Sequence, residues 1–167
     1  LMFRYNNLNA GSIGKSSGGT YLGIGAGEND NAEDEPNVGV GYNALYNNTT
    51  GSANSAVGAS ALASNTTGSG NSAVGVVALY NNTTGNGNSA VGANALRNNT
   101  TGEANSAVGV DALSSNTTGS YNSVVGTSAG NNAKQKTNAI YQNLFGAYTY
   151  GTRDSITVLG ADFIKET

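Results

Sequence analysis

Few side chains in this 167-residue chain can do chemistry. It has no Cys and no His, so neither a thiolate nor an imidazole is at hand as nucleophile, base or metal ligand. A nucleophilic pair would need Lys or a carboxylate beside Ser or Thr. Glu103 and Asp111 stand isolated at variable, solvent-facing positions, so no enzyme is expected. Acid concentrates in one place: Glu28-Asn-Asp-Asn-Ala-Glu-Asp-Glu-Pro36 holds five of the ten Asp and Glu residues. Clustered carboxylate and amide oxygens are the donor set of a hard cation such as Ca²⁺, which makes Glu28, Asp30, Glu33, Asp34 and Glu35 candidate ligands. Neither EF-hand spacing nor a Gly-Gly-x-Gly-x-Asp nonapeptide frames them, and a solvated loop is the expected form. Gly23-Ile-Gly-Ala-Gly27 has the glycines of a dinucleotide loop, but no amphipathic helix follows, and no cofactor is implied.

Recognition is the other chemistry available. Tyr and Arg carry much of the energy at binding hot spots, and Tyr141, Tyr148, Tyr150 and Arg153 gather with Lys134 and Lys136 after residue 130. That concentration also suits a wider last coil capping a stack. Five Asn-Thr-Thr triplets, starting at Asn48, Asn65, Asn82, Asn99 and Asn116, match the N-glycosylation pattern. They also read as turn positions of a repeat.

That repeat must position everything else. Asn-Ser-Ala/Val-Val-Gly recurs at a 17-residue spacing from Asn54, Asn71, Asn88, Asn105 and Asn122, with a looser copy at Asn37. With Asn54 as position 1, the unit is Asn-Ser-Ala-Val-Gly-x-x-Ala-Leu-x-x-Asn-Thr-Thr-Gly-x-x. So short a fixed period marks one stacked structural unit. Gly twice per unit and Asn-Thr-Thr exclude a long helix, while β-branched residues between Asn and Gly favour short strands and turns. The predicted fold is all-β, a parallel solenoid of 17-residue coils. Positions 1–5 are a strand ending at a Gly corner, positions 8–11 a second extended piece, and Asn-Thr-Thr-Gly the return turn. Gly at positions 5 and 15 takes φ > 0 or permits close approach. Asn at positions 1 and 12 bonds its own backbone or stacks as a ladder. The inward columns are read as Val40, Val57, Val74, Val91, Val108 and Val125 with Leu45, Leu62, Leu79, Leu96 and Leu113. Coils spaced as strands in a sheet make residues 37–121 a rod on the order of 24 Å long.

The residues divide into irregular N-terminal coils with an acidic insert (1–36, the insert at 28–36), a regular array (37–130) and an irregular C-terminal cap (131–167). Ser12-Ile-Gly14 and Tyr21–Ala26 look like degenerate coils. Much of the 37% hydrophobic fraction is Ala, so one chain alone is under-cored and association must supply burial. A net charge of −3, with Arg97 the lone basic residue between Asn37 and Tyr121, argues against nucleic acid. No stretch is long and apolar enough to insert in a membrane. The chain starts at Leu1 and is read as a piece of a longer one.

The unit resembles the head repeats of trimeric autotransporter adhesins. It is closer to a 17-residue variant, Asn-Thr-Ala-Val-Gly-x-x-Ala-Leu-x-x-Asn-Thr-Thr-Gly, of phage tail fibres and bacterial surface proteins. The match spans roughly residues 37–130, and Ser155–Thr167 resembles the terminal coil of such arrays. The resemblance implies a left-handed parallel β-roll, three chains side by side, an extracellular setting on a virion fibre, injection particle or cell surface, and attachment to a glycan or protein receptor. The unit is longer than the adhesin head's, so collagen-type binding does not carry over. After Gly126 the period breaks, with Gly130 in place of Leu and Phe145-Gly146 arriving 20 residues after Val125-Gly126.

Invariant positions are scaffold, so individuality is written at positions 6–7, 10–11 and 16–17. There, and in the flanks, the candidate receptor contacts are Tyr42, Tyr46, Tyr80, Arg97, Tyr121, Tyr141, Tyr148, Tyr150 and Arg153. The expected function is attachment. A passive stalk spacing a binding tip is the alternative, and an ice- or surface-binding solenoid using the Thr49-Thr50-type ladders a third. Adjacent Thr residues in a strand face opposite ways, which leaves one per coil for a flat array.

Overall fold

The computed structural model describes residues 2–5, 8–13, 18–31, 36–131, 138–151 and 154–160, with side chains from residue 18 onward. The strands are β1 (Met2–Tyr5), β2 (Leu8–Ile13), β3 (Thr20–Leu22), β4 (Val38–Val40), β5 (Ser55–Val57), β6 (Ser72–Val74), β7 (Ser89–Val91), β8 (Ser106–Val108), β9 (Ser123–Val125), β10 (Asn143–Phe145) and β11 (Thr157–Leu159). They form one sheet in sequence order. From β3 onward every pairing is parallel, and repeat positions match position for position, as in Ala56↔Ala73 and Val57↔Val74. The chain is therefore a parallel β-solenoid. Eight strand-to-strand steps make it on the order of 40 Å long.

At the N-terminal end, β1, β2 and β3 pair antiparallel. Ser12-Ile13 thus belongs to an antiparallel strand and not to a degenerate coil. An antiparallel ribbon over the first coil occupies an edge that would otherwise offer unpaired backbone to another chain.

Positions 8–11 are not extended. After the Gly corner (Gly58, φ 141°) the backbone turns, with left-handed residues at positions 7 and 9, such as Ser60 (φ 56°) and Leu62 (φ 52°). Each non-Gly residue so held costs on the order of 1–2 kcal/mol. The alternation aims successive N–H groups along the rod in both directions. Ser60 N donates back to Tyr42 O (2.7 Å), while Leu62 N donates forward to Ala78 O (3.0 Å). Inter-coil hydrogen bonds and a buried Leu hold the strained residue in place.

The Val column faces outward, contrary to expectation. Val57, Val74, Val91, Val108 and Val125 are 40–41% exposed, and Val40 at the same level is half-buried. Position 3 faces in instead: Ala56, Ala73, Ala90, Ala107, Val124 and Leu144 are fully buried, as are Leu45, Leu62, Leu79, Leu96 and Leu113. Strand alternation allows only one of positions 3 and 4 to point inward. Position 1 decides which, because its Asn must be inside.

Two amide ladders run through that interior. At position 12, Asn65 Nδ2 donates to Asn48 Oδ1 (2.7 Å) and to Gly68 O (2.8 Å), and Asn82, Asn99 and Asn116 repeat the pattern. At position 1, Asn54 Nδ2 donates to the same Gly68 O (2.8 Å), while Asn54 Oδ1 accepts from the backbone N of Asn71 (2.9 Å). Gly at position 15 is required by proximity: a Cβ on Gly68 would stand 2.6 Å from Asn65 Oδ1 and 2.9 Å from Asn82 Nδ2.

Asp30 and Tyr21 terminate the ladders. Asp30 holds position 12 of the first coil and is buried, which removes it from the solvated acidic loop expected there. Its Oδ1 accepts from Asn48 Nδ2 (2.9 Å), and its Oδ2 accepts from Asn37 Nδ2 (3.4 Å) and from the Tyr21 hydroxyl. Each position-12 amide points its N–H₂ toward this end, so an acceptor-only carboxylate suits the terminus. Tyr21 fills position 3, where its ring needs Gly27 and Gly39: a Cβ on Gly39 would lie 2.8 Å from the ring.

Burial first, and the Asp30 hydrogen bond second, push the Tyr21 phenol far above its ordinary value. With the folded pKa raised above the unfolded value near 10, this contribution to stability is complete below pH 10. It is lost as pH rises beyond that. In an alkaline titration of the phenolate band, one tyrosine equivalent is expected to ionise only as the first coil melts, and Tyr21→Phe to remove that lagging step. A titration in which all nine tyrosines ionise before any loss of circular dichroism would contradict this.

Candidate functional site

Outward side chains form columns along the rod. Positions 2, 4 and 6 make one face. Position 4 runs Leu22, Val40, Val57, Val74, Val91, Val108, Val125, Phe145, Leu159, and position 6 adds Ile24, Tyr42, Val76 and Val110. Many of these are strongly exposed, Leu22 by 53%, Val76 by 53% and Leu159 by 68%. Position 2 is Ser, Thr, Val or Asn, and no charged residue occupies any of the three columns between Thr20 and Leu159. The irregular coils abandon other positions of the unit yet keep Leu22, Phe145 and Leu159 at position 4. An uncharged apolar ribbon of this length exceeds the scattered apolar exposure usual on a single chain's surface. Sequence reading missed it by placing the Val column inside.

The candidate receptor residues do not converge on one site. Tyr42 lies on the apolar face, whereas Tyr46, Tyr80 and Arg97 share position 10 in three coils, with buried Ala63 between the first two. Tyr148 is exposed at position 7 and Tyr150 is half-buried at position 9. Tyr121 and Tyr141 do come together. Both hold position 17 with left-handed backbones (φ 60° and 58°), and their rings stack with centroids 5.2 Å apart and planes at 15°. Each is more than half exposed.

Position 16 borders that pair with a polar rail. Ser69 N donates to Asn86 Oδ1 (2.8 Å), Asn86 Nδ2 donates to Glu103 Oε1 (3.0 Å), and Glu103 N donates to Ser120 Oγ (2.9 Å). The backbone carbonyl of Glu103 accepts from Tyr121 N (2.9 Å), so the carboxylate residue stands directly beside the aromatic pair.

Other candidates resolve differently. Arg153, Glu33, Asp34, Glu35, Lys134 and Lys136 lie outside the described residues, as does Ala161–Thr167 of the terminal motif. Among the described residues no group of three acidic side chains is placed to hold a metal. Asp30 is committed to the ladders, which separates it from any open cation site. The Asn residues of the Asn-Thr-Thr triplets are at most 1% exposed with their amides engaged, so in the folded chain they cannot accept a glycan. Position-13 Thr hydroxyls donate to the next coil's carbonyl, as Thr66 does to Thr83 O (3.0 Å), leaving position 14 as the exposed Thr column. Gly23–Gly27 forms the corner and turn of the first coil, and the described residues after it contain no helix. No helix among the described residues is long and apolar enough to cross a membrane.

Comparison with known proteins yields no match to a family model, a curated protein or a solved structure.

Proposed function

We propose that this chain is a length of homotrimeric attachment fibre, of the kind carried on a phage or phage-like particle or as the head of a bacterial surface adhesin. In this reading three copies lie side by side in a left-handed roll and bind a cell-surface glycan or protein outside the cell. The observation that carries it is the uncharged apolar ribbon at positions 4 and 6. Its ridges repeat at the coil spacing, so a second copy in the same register meets a complementary surface at every level. Closed cyclic symmetry is the usual outcome for identical chains. The ribbon supplies the burial that an Ala-rich interior lacks, and outward variability at positions 10, 16 and 17 leaves surface for a receptor.

Light scattering on the purified chain at low micromolar concentration is expected to give three times the 16.7 kDa chain mass. Val57→Asn, Val74→Asn and Val91→Asn together are expected to yield a monomer that keeps its β spectrum in the cold, because these side chains are outside the single-chain core, but melts earlier than the wild type, because the burial between chains is lost. A monomeric wild type would sink the trimer. If Tyr46→Ala, Tyr80→Ala, Arg97→Ala and Tyr121→Ala combined leave attachment to host cells intact, the segment is a passive stalk.

A further inference from the structure

We propose that the Tyr121–Tyr141 stack is the platform of a binding site for a neutral pyranose sugar. The inference rests on the attachment reading and names the ligand class for one surface of it. Position 17 is Ala53, Gly70, Gly87 and Ala104 in the four coils before Tyr121, and Tyr141 follows it. Tyr141 covers one face of the Tyr121 ring. The other face looks along the rod toward Ala104, whose methyl leaves vacant the slot that another ring would fill.

A pyranose is a flat ring with C–H bonds on its faces and hydroxyls round its edge. It suits a slot with an aromatic wall and polar flanks, because aromatic faces attract polarised C–H groups as they attract other electropositive partners. Glu103 supplies the flank. Among the described residues its Oε1 takes the Asn86 amide and its Oε2 makes no hydrogen bond, so it can accept from sugar hydroxyls. The same carboxylate and the net charge of −3 oppose acidic sugars, and Arg97 at position 10 is on another column. Pre-stacking on Tyr141 fixes Tyr121 before binding, so little side-chain freedom is lost.

The test titrates the full chain with maltohexaose, cellohexaose, chitohexaose and mannohexaose, following the Tyr121 ring resonances in the wild type and the heat of binding in every variant. At least one is expected to bind saturably. Tyr121→Ala should weaken it by about 10-fold or more, the scale of one lost aromatic stack. Tyr121→Phe should stay within about 3-fold, because the ring is kept. Ala104→Trp should abolish binding by filling the slot, and circular dichroism of each variant reports on its folding. No saturable shift with any of the four, or binding indifferent to both Tyr121→Ala and Ala104→Trp, overturns the site. Host-cell attachment that persists in a chain binding none of the four sugars removes the sugar site and leaves attachment standing. Sugar binding that depends on Tyr121, in a chain that adheres to no cell, does the reverse.

Discussion

Replacing Asn82 by Asp is expected to destabilise the array by about 3–5 kcal/mol, although the two side chains have nearly the same shape. Asn82 is fully buried. Its Nδ2 donates to Asn65 Oδ1 (2.8 Å) and Gly85 O (3.0 Å), and its Oδ1 accepts from Asn99 Nδ2 (2.9 Å). A carboxylate there sets oxygen against two acceptors. A buried charge without compensating partners carries a cost of that order, and each orphaned polar group adds about 1–3 kcal/mol. Protonation gives back one donor. The introduced carboxyl thus has a raised folded pKa, and the damage should be least below about pH 4 and grow as pH rises. Denaturant melts of the variant at acid and neutral pH check this. Asp30→Asn is the mirror experiment. It places an N–H₂ where Asn48, Asn37 and the Tyr21 hydroxyl all donate, and should also destabilise. If either exchange is neutral, directional ladders do not hold the interior together.

The ladders explain what could be read from the sequence. A period of 17 with Asn and Gly held in fixed columns announces stacked coils, since only a stack needs the same residue at every level. The same residues contained the parity of the strand. Asn at position 1 and Ala at position 3 lie on one face, so Val at position 4 lies on the other. Ranking Val above Ala by hydrophobicity put the wrong column inside. Amide burial, worth more here than a few methyl groups, decides the parity. Leu at position 9 was legible as core but its backbone was not, because a left-handed Leu violates local preference and is held by inter-coil bonds. Asp30 was unreadable as a ladder terminus, since in sequence it stands among four other acids. Tyr121 and Tyr141 are 20 residues apart rather than 17, so the period gave no warning of their stacking.

Interior size is set jointly by positions 3 and 9, and this yields a second large effect. Where position 3 is large, a nearby position 9 is Gly. Tyr21 is accompanied by Gly27, whose Cβ would press on its ring. Gly130 stands between Leu113 and Leu144, where a Cβ would lie 2.8 Å from Leu113 Cδ2 and 3.5 Å from Leu144 Cδ1. The regular coils take the opposite choice, Ala at 3 and Leu at 9. Ala107→Leu should therefore overpack by about 1–3 kcal/mol, and Leu96→Gly should lose about 2–5 kcal/mol through its cavity. Relief of the left-handed strain at Leu96 (φ 51°) offsets part of the second loss. Together the pair recreates the arrangement of Leu144 over Gly130, one coil apart in the same order. The double variant is expected to be more stable than the sum of the singles by about 2 kcal/mol, within the range of coupling between contacting residues. Urea melts of the four proteins in the cycle measure it. Strict additivity would mean that position 9 of one coil and position 3 of the next do not share space. The Gly residues at 27 and 130 would then owe their places to their left-handed backbones (φ 57° and 68°) alone. A favourable coupling assigns them to packing, and makes the two large-at-3 coils near the ends of the stack variants of the same interior rather than exceptions to it.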